Sequence, residues 1–166
     1  MTTSITVADF INDYLINQIG NIKDNHPYFA FLLMAVGIEF LGRCQSANDW
    51  NDRSGSQTYF NEGLDVAPLQ KYKTRYPNLY NQLRCGLAHA YHPDGIILSD
   101  KAGISDINCE EFYTDFVRAC RNILAGNAPK TVRALDVPFF VVTTTDDGTS
   151  TTGNTPSQMS QTQNSK

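Results

Sequence analysis

No run of apolar residues in this sequence is longer than the 11 from Tyr28 to Ile38. A helix that spans a bilayer needs about 20, so no membrane association is expected. The opening stretch, MTTSITVADF, has neither the basic start nor the apolar core of a secretory signal. Cysteine is sparse and scattered: Cys44, Cys85, Cys109 and Cys120 form no Cys-x-x-Cys pair. That removes the common zinc and disulfide frameworks and leaves reduced thiols as the simpler reading, so the expected location is the cytoplasm. No internal repeat is present. Positive charge is also in deficit, with a net charge of −4, which excludes a generally basic nucleic-acid coat.

What is present organises as helices, in a chain of 166 residues that fits one domain. Val7, Phe10, Ile11, Tyr14, Leu15 and Ile22 recur at three- and four-residue steps, one face of a helix over 6–22. Thr6 with Asp9 makes a capping pair at its start. Pro27 suits the first turn of the next helix, which is apolar nearly all round, as a central bundle helix is. Within it, Gly37 marks a close approach by a neighbour. Glu39 calls for a partner there, with Arg43 and Arg84 the candidates.

Residues 45–57 form a polar loop carrying Trp50. Weaker helical signals follow on either side of Pro68. Pro77 opens a helix with Tyr80, Leu83 and Leu87 as its core stripe, which HPDG at 92–95 ends. Asn108 with Glu111 starts the last long helix and Gly126 closes it. The stretches 95–100 and 137–142 read as short strands that pair as a hairpin. From Thr143 onward Met159 is the sole apolar residue, so nothing there offsets the entropy of ordering. The expectation is a mainly α fold: a bundle of four to five helices with a small β-hairpin over 1–142, and a disordered polar tail over 143–166.

The charge that is present is unevenly placed. From Leu69 to Pro93 there are four basic residues, Lys71, Lys73, Arg75 and Arg84, and no Asp or Glu. A local basic patch on an acidic chain suits a localised anionic partner. The same stretch ends in LRCGLAHAYHPDG, which places Arg84, His89 and His92 within nine positions. A metal reading would use His89, His92 and Asp94, but a competent site usually has three or four ligands and Pro93 breaks the helix at that point. No metal or cofactor is expected.

Arg84-Cys-Gly-Leu-Ala-His89, within LYNQLRCGLAHAYHP, resembles the HEPN superfamily, whose hallmark is Arg-x4-6-His near the end of a helix in a small α-bundle. The resemblance covers the organisation of residues 5–126, and its specific part is about a dozen residues. It implies a metal-independent endoribonuclease, acting as a homodimer in a toxin–antitoxin or defence setting, with an antitoxin-type protein partner. The ribose 2′-hydroxyl would attack the adjacent phosphate. His89 titrates near neutrality and would transfer the proton. Arg84 would hold phosphate oxygens through its planar fork. Lys71, Lys73 and Arg75 would guide RNA in and His92 would line the substrate, while Tyr91, seven positions after Arg84, either packs in the core as aromatics ordinarily do or stacks on a base.

On an ideal α-helix five residues turn through about 140°, so Arg84 and His89 would leave on different faces and converge through a bent helix end, through Arg84's length, or by pairing across a dimer twofold axis. Cys85 stands where many HEPN nucleases carry Asn or Asp. A member without that polar group would be a catalytically inactive RNA-binding or dimerisation module, the alternative reading.

Overall fold

The computed structural model describes residues 2–50, 52, 54–90, 92–100, 106–144 and 150–153. Its core is helical. A first helical run consists of α1 (Val7–Asp9), a π-wound stretch π1 (Phe10–Gln18) and α2 (Ile19–Ile22). After it come α3 (Pro27–Arg43), α4 (Ser56–Leu64), α5 (Gln70–Arg75), a second π-wound helix π2 (Tyr80–Ala90) and α6 (Cys109–Leu124). The mainly α bundle with a small β element is therefore what forms.

The local stop and start signals act as the sequence predicts. The Thr6 hydroxyl accepts the Asp9 N–H at 3.1 Å while the Asp9 carboxylate accepts the Thr6 N–H at 3.0 Å, a complete capping box. Pro27 occupies the first turn of α3. Asn108 Oδ1 caps α6 by accepting the Glu111 N–H at 3.1 Å, and Gly126, at φ 73°, follows its end.

The strands depart from expectation. The N-terminal residues form β1 (Thr2–Thr6), a run of small and β-branched residues. β1 pairs antiparallel with β4 (Pro138–Thr144), and β4 pairs on its other side with β5 (Ser150–Gly153), giving the order β1-β4-β5. The expected hairpin between 95–100 and 137–142 does not form. Leu98–Ser99 (β2) instead pairs in parallel with Ile107–Asn108 (β3). β4 takes a partner from the far end of the chain because β1 offers an unpaired edge beside the helix it enters: Val7 and Ala8 continue the contact by donating to Val137 and Leu135 at 3.2 and 2.8 Å. The boundary expected at Thr143 falls inside β4, and β5 lies beyond it. The rest of that tail, 145–149 and 154–166, lies outside the described residues.

Helix α3 is the hub. Ala30, Phe31, Met34, Ala35, Ile38 and Leu41 are buried against α2, α4, α6 and the π-helices. Its Gly37 would place a Cβ 2.6 Å from the Phe116 ring, which is the predicted close approach. α3 and α4 cross almost backbone to backbone: a Cβ on Gly42 would run into the Tyr59 carbonyl, and one on Gly63 into the Ile38 carbonyl. The helix is not buried all round, since Phe29, Leu33 and Val36 are 58%, 42% and 44% exposed.

In the first helical run Val7, Ile11, Leu15 and Ile19 make the buried stripe, and Tyr14, expected in the core, lies on the exposed side. Tyr14 and Phe10 instead join an aromatic layer under the sheet, in which Phe10 meets Phe40 at 5.0 Å and Phe139 at 5.1 Å. Trp50 folds back into this layer, stacked on Phe40 at 5.6 Å with the Arg133 guanidinium 3.9 Å from its ring.

Candidate functional site

Helix π2 carries the Arg84-x4-His89 stretch. Pro77 precedes it, and Leu79, Leu83 and Leu87 anchor it in the core at four-residue intervals. Tyr80, expected in that stripe, is half-buried at its edge with its ring 5.6 Å from Phe60. The winding changes the geometry of the site. In a π-helix the N–H of residue i+5 bonds the carbonyl of residue i, so side chains five apart stack one turn above another, as those four apart do in an α-helix. Tyr80 and Cys85 are also five apart, and the Tyr80 hydroxyl is held above its ordinary value by burial and next by the neighbouring Cys85 thiol. By the same rule the winding of π2 lessens the divergence between residues 84 and 89 that an ideal α-helix would impose.

The turn after π2 lies back along it. The His92 N–H donates to Gly86 at 3.3 Å and the Asp94 N–H to Gln82 at 3.0 Å. Gly86 makes that return passable, since a Cβ there would sit 2.6 Å from the His92 carbonyl. Gly95, at φ 69°, completes the turn in a conformation that glycine adopts at little cost. His92 itself is exposed, with Nδ1 3.1 Å from the Pro93 carbonyl. His89 is exposed too, and its imidazole makes no hydrogen bond to the described residues. Tyr91 lies outside the described residues.

Arg84 is half-buried, and its Nε donates to Glu39 Oε2 at 3.1 Å. Its two terminal nitrogens meet no acceptor among the described residues. Glu39, 6% exposed in the middle of α3, takes two further donors on Oε1: Arg43 Nη2 at 3.1 Å and Ser56 Oγ at 2.9 Å. Arg43 is fully engaged. It also donates to the carbonyls of Trp50 and Asp52, and its guanidinium lies 4.5 Å from the Tyr59 ring centre. One carboxylate between two guanidinium groups leaves the cluster with a net charge of +1. Among the described residues, the terminal nitrogens of Arg84 are donors left to use that charge, and a guanidinium so held can bind an oxyanion.

The other basic residues are placed differently. Lys71 pairs with Glu111 at 2.6 Å and Asp115 at 2.7 Å, and these two carboxylates hold its pKa above the ordinary value. Lys73 pairs with Asp65 at 2.6 Å. Arg75 is exposed, its guanidinium 5.2 Å from the Tyr76 ring centre. Lys71 and Arg75 line a cleft of about 200 Å³ that they share with Asp106 and Glu111. Of the +4 stretch, Lys71 and Lys73 are thus matched, by acids on α6 and by Asp65 just beyond α4. Among the described residues no group of three or more His, Cys, Asp or Glu side chains is arranged to hold a metal, and no helix is long and apolar enough to cross a membrane.

Sequence reasoning offered Arg43 only as a partner for Glu39, where the i, i+4 spacing signals an ion pair. It missed Ser56, for which no pattern in the chain could speak. Together these features define a helical bundle in which α3, α4 and π2 meet at a buried Glu–Arg cluster, with His89 exposed further along π2. No family model, curated protein or solved structure matches the chain.

Proposed function

We propose that this chain is a HEPN-like, metal-independent endoribonuclease in which Arg84 grips the scissile phosphate and His89 moves the proton of the attacking 2′-hydroxyl or the departing oxygen. The observation that carries this reading is the fork of Arg84: its Nε is committed to Glu39 while both terminal nitrogens meet no acceptor among the described residues, with His89 five residues on along the same π-wound helix. A two-pronged cation matches the developing charge on a phosphate, and an imidazole supplies proton transfer near neutral pH. Arg75, exposed, is the basic neighbour that would meet flanking phosphates. Lys71 and Lys73 would contribute only by leaving their carboxylate partners. A homodimer in a toxin–antitoxin or defence setting, restrained by a protein antitoxin, belongs to the same reading.

One observation favours the second reading, an inactive RNA-binding or dimerisation module. The residue after Arg84 is a thiol engaged with Tyr80 rather than an Asn or Asp, and a thiol is a weak hydrogen-bonding group. RNA cleavage measured in EDTA separates the two. The nuclease reading expects cleavage by the wild type and its loss in His89→Ala. Binding without cleavage of any RNA would overturn that reading and leave the module.

A further inference from the structure

We propose that Glu39 is a positioning residue of the Arg84 site: it holds the guanidinium by one edge so that the other edge meets the phosphate. The proposal rests on the nuclease reading above. Its basis is the division of labour around one buried carboxylate. Oε1 is filled from α3 itself and from α4, by Arg43 and Ser56, and Oε2 is left for Arg84 on π2.

If Glu39 served only to neutralise a buried arginine, the natural geometry would be a two-pronged pair using both terminal nitrogens, the stronger arrangement. Arg84 instead gives only Nε. Its charge is not cancelled either, because Arg43 already draws on the same carboxylate. Arg43 is pinned by the carbonyls of Trp50 and Asp52 and by the Tyr59 ring, so it serves as the fixed anchor. Glu39 passes that fixity on to Arg84. The polar segment 45–57 therefore bears on the site, indirectly through Arg43, which donates to the carbonyls of Trp50 and Asp52, and directly through Ser56 at the start of α4.

A single bond at Nε also leaves the guanidinium plane one rotational freedom fewer than a solvated arginine has. A phosphate would meet a preset fork, which is the condition for rate acceleration by positioning. Replacing Glu39 with the isosteric Gln removes the charge and one acceptor. The amide cannot accept from Arg43, Ser56 and Arg84 as the carboxylate does, so Arg84 loses its preset orientation while keeping its own charge and its fork.

The test is Glu39→Gln, read in two ways. The first is nitrogen–proton NMR of the arginine Nε–H groups, with the Arg84 signal assigned by its disappearance in Arg84→Lys. In the wild type this signal should be protected from solvent exchange and should stay protected when inorganic phosphate is added. In Glu39→Gln it should exchange freely. The second is cleavage of a single-stranded RNA oligonucleotide: kcat should fall by about 10²-fold with KM little changed, in a protein whose melting curve shows it fully folded at the assay temperature.

An Arg84 Nε–H that exchanges as fast as a surface arginine's in the wild type overturns the proposal, even if the variant does not fold. So does a Glu39→Gln variant with wild-type kcat. Retained cleavage in Arg84→Ala would instead overturn the nuclease reading itself, so the two failures are distinguishable.

Discussion

Arg84 commits one of its nitrogens to Glu39, its other two meet no acceptor among the described residues, and His89 follows five residues further along π2 with its imidazole unengaged by those residues. On the nuclease reading proposed above, the two side chains would act on one transition state: the charge that Arg84 stabilises would develop only as His89 moved a proton. Arg84→Ala and His89→Ala should each lower kcat for RNA cleavage by at least about 10²-fold. The double variant should lose little more, because groups acting together are strongly non-additive. Arg84→Lys should also be impaired, since an ammonium keeps the charge and loses both the fork and the Nε contact. His89 is exposed, so its truncation should change stability by no more than about 0.5 kcal/mol. Arg84→Ala leaves Glu39 with Arg43 and Ser56 still donating to it, so that variant should fold. Additive losses in a double-mutant cycle of initial rates would break the assignment of both residues to one step.

At the level of elements, the crossing of α3 and α4 is the tightest joint in the bundle, and two glycines make it. With no side chain at Gly42 or Gly63, each helix backbone lies against a carbonyl of the other. Gly63→Ala should destabilise the fold by about 1–3 kcal/mol or more, because the obstacle is backbone and cannot swing aside as a side-chain end would. A thermal melt should show the drop. Alanine at Gly126, where nothing lies within 4 Å, should show only the cost of its positive φ. Much of this layer was legible in the sequence because its signals are local: Thr6–Asp9, Pro27, Asn108–Glu111 and Gly126 mark helix ends within a few residues of themselves. The strand partners were not. β4 finds β1 across almost the whole chain, and nothing in either stretch names the other. The π winding was hidden as well, because apolar residues four apart, as at Leu79, Leu83 and Leu87, fit both windings. That one ambiguity bears directly on how far apart residues 84 and 89 point around the helix.

For the molecule as a whole, charge and burial show what composition conceals. The basic stretch that looked like an RNA track is a set of inter-helical ties, Lys71 to Glu111 and Asp115, and Lys73 to Asp65. These partners lie 8 to 44 residues away in sequence, so only the fold could reveal them. The thiols are a second property of the whole fold. Cys44 and Cys109 are buried, and burial pushes them from an ordinary value of 9.0 up to about 12 and about 11. Cys120 is pushed up in the same way, by burial first and then by Cys44. Each is an acid whose folded value is raised, so its contribution is fully present below pH 9 and is lost as pH rises through the folded value. Between those limits the unfolded chain has released a proton that the native state still holds, and stability must fall with pH. The slope should be up to about 1.4 kcal/mol per pH unit for each thiol that stays protonated in the native state. Urea unfolding in reducing buffer should therefore show a midpoint that falls steeply between pH 9 and 11. Cys44→Ala should start from a lower midpoint at pH 8, because a buried sulfur is lost, and should decline less steeply above pH 9. A variant that declined as steeply as the wild type would show that the Cys44 thiol is not the group whose proton the folded state retains.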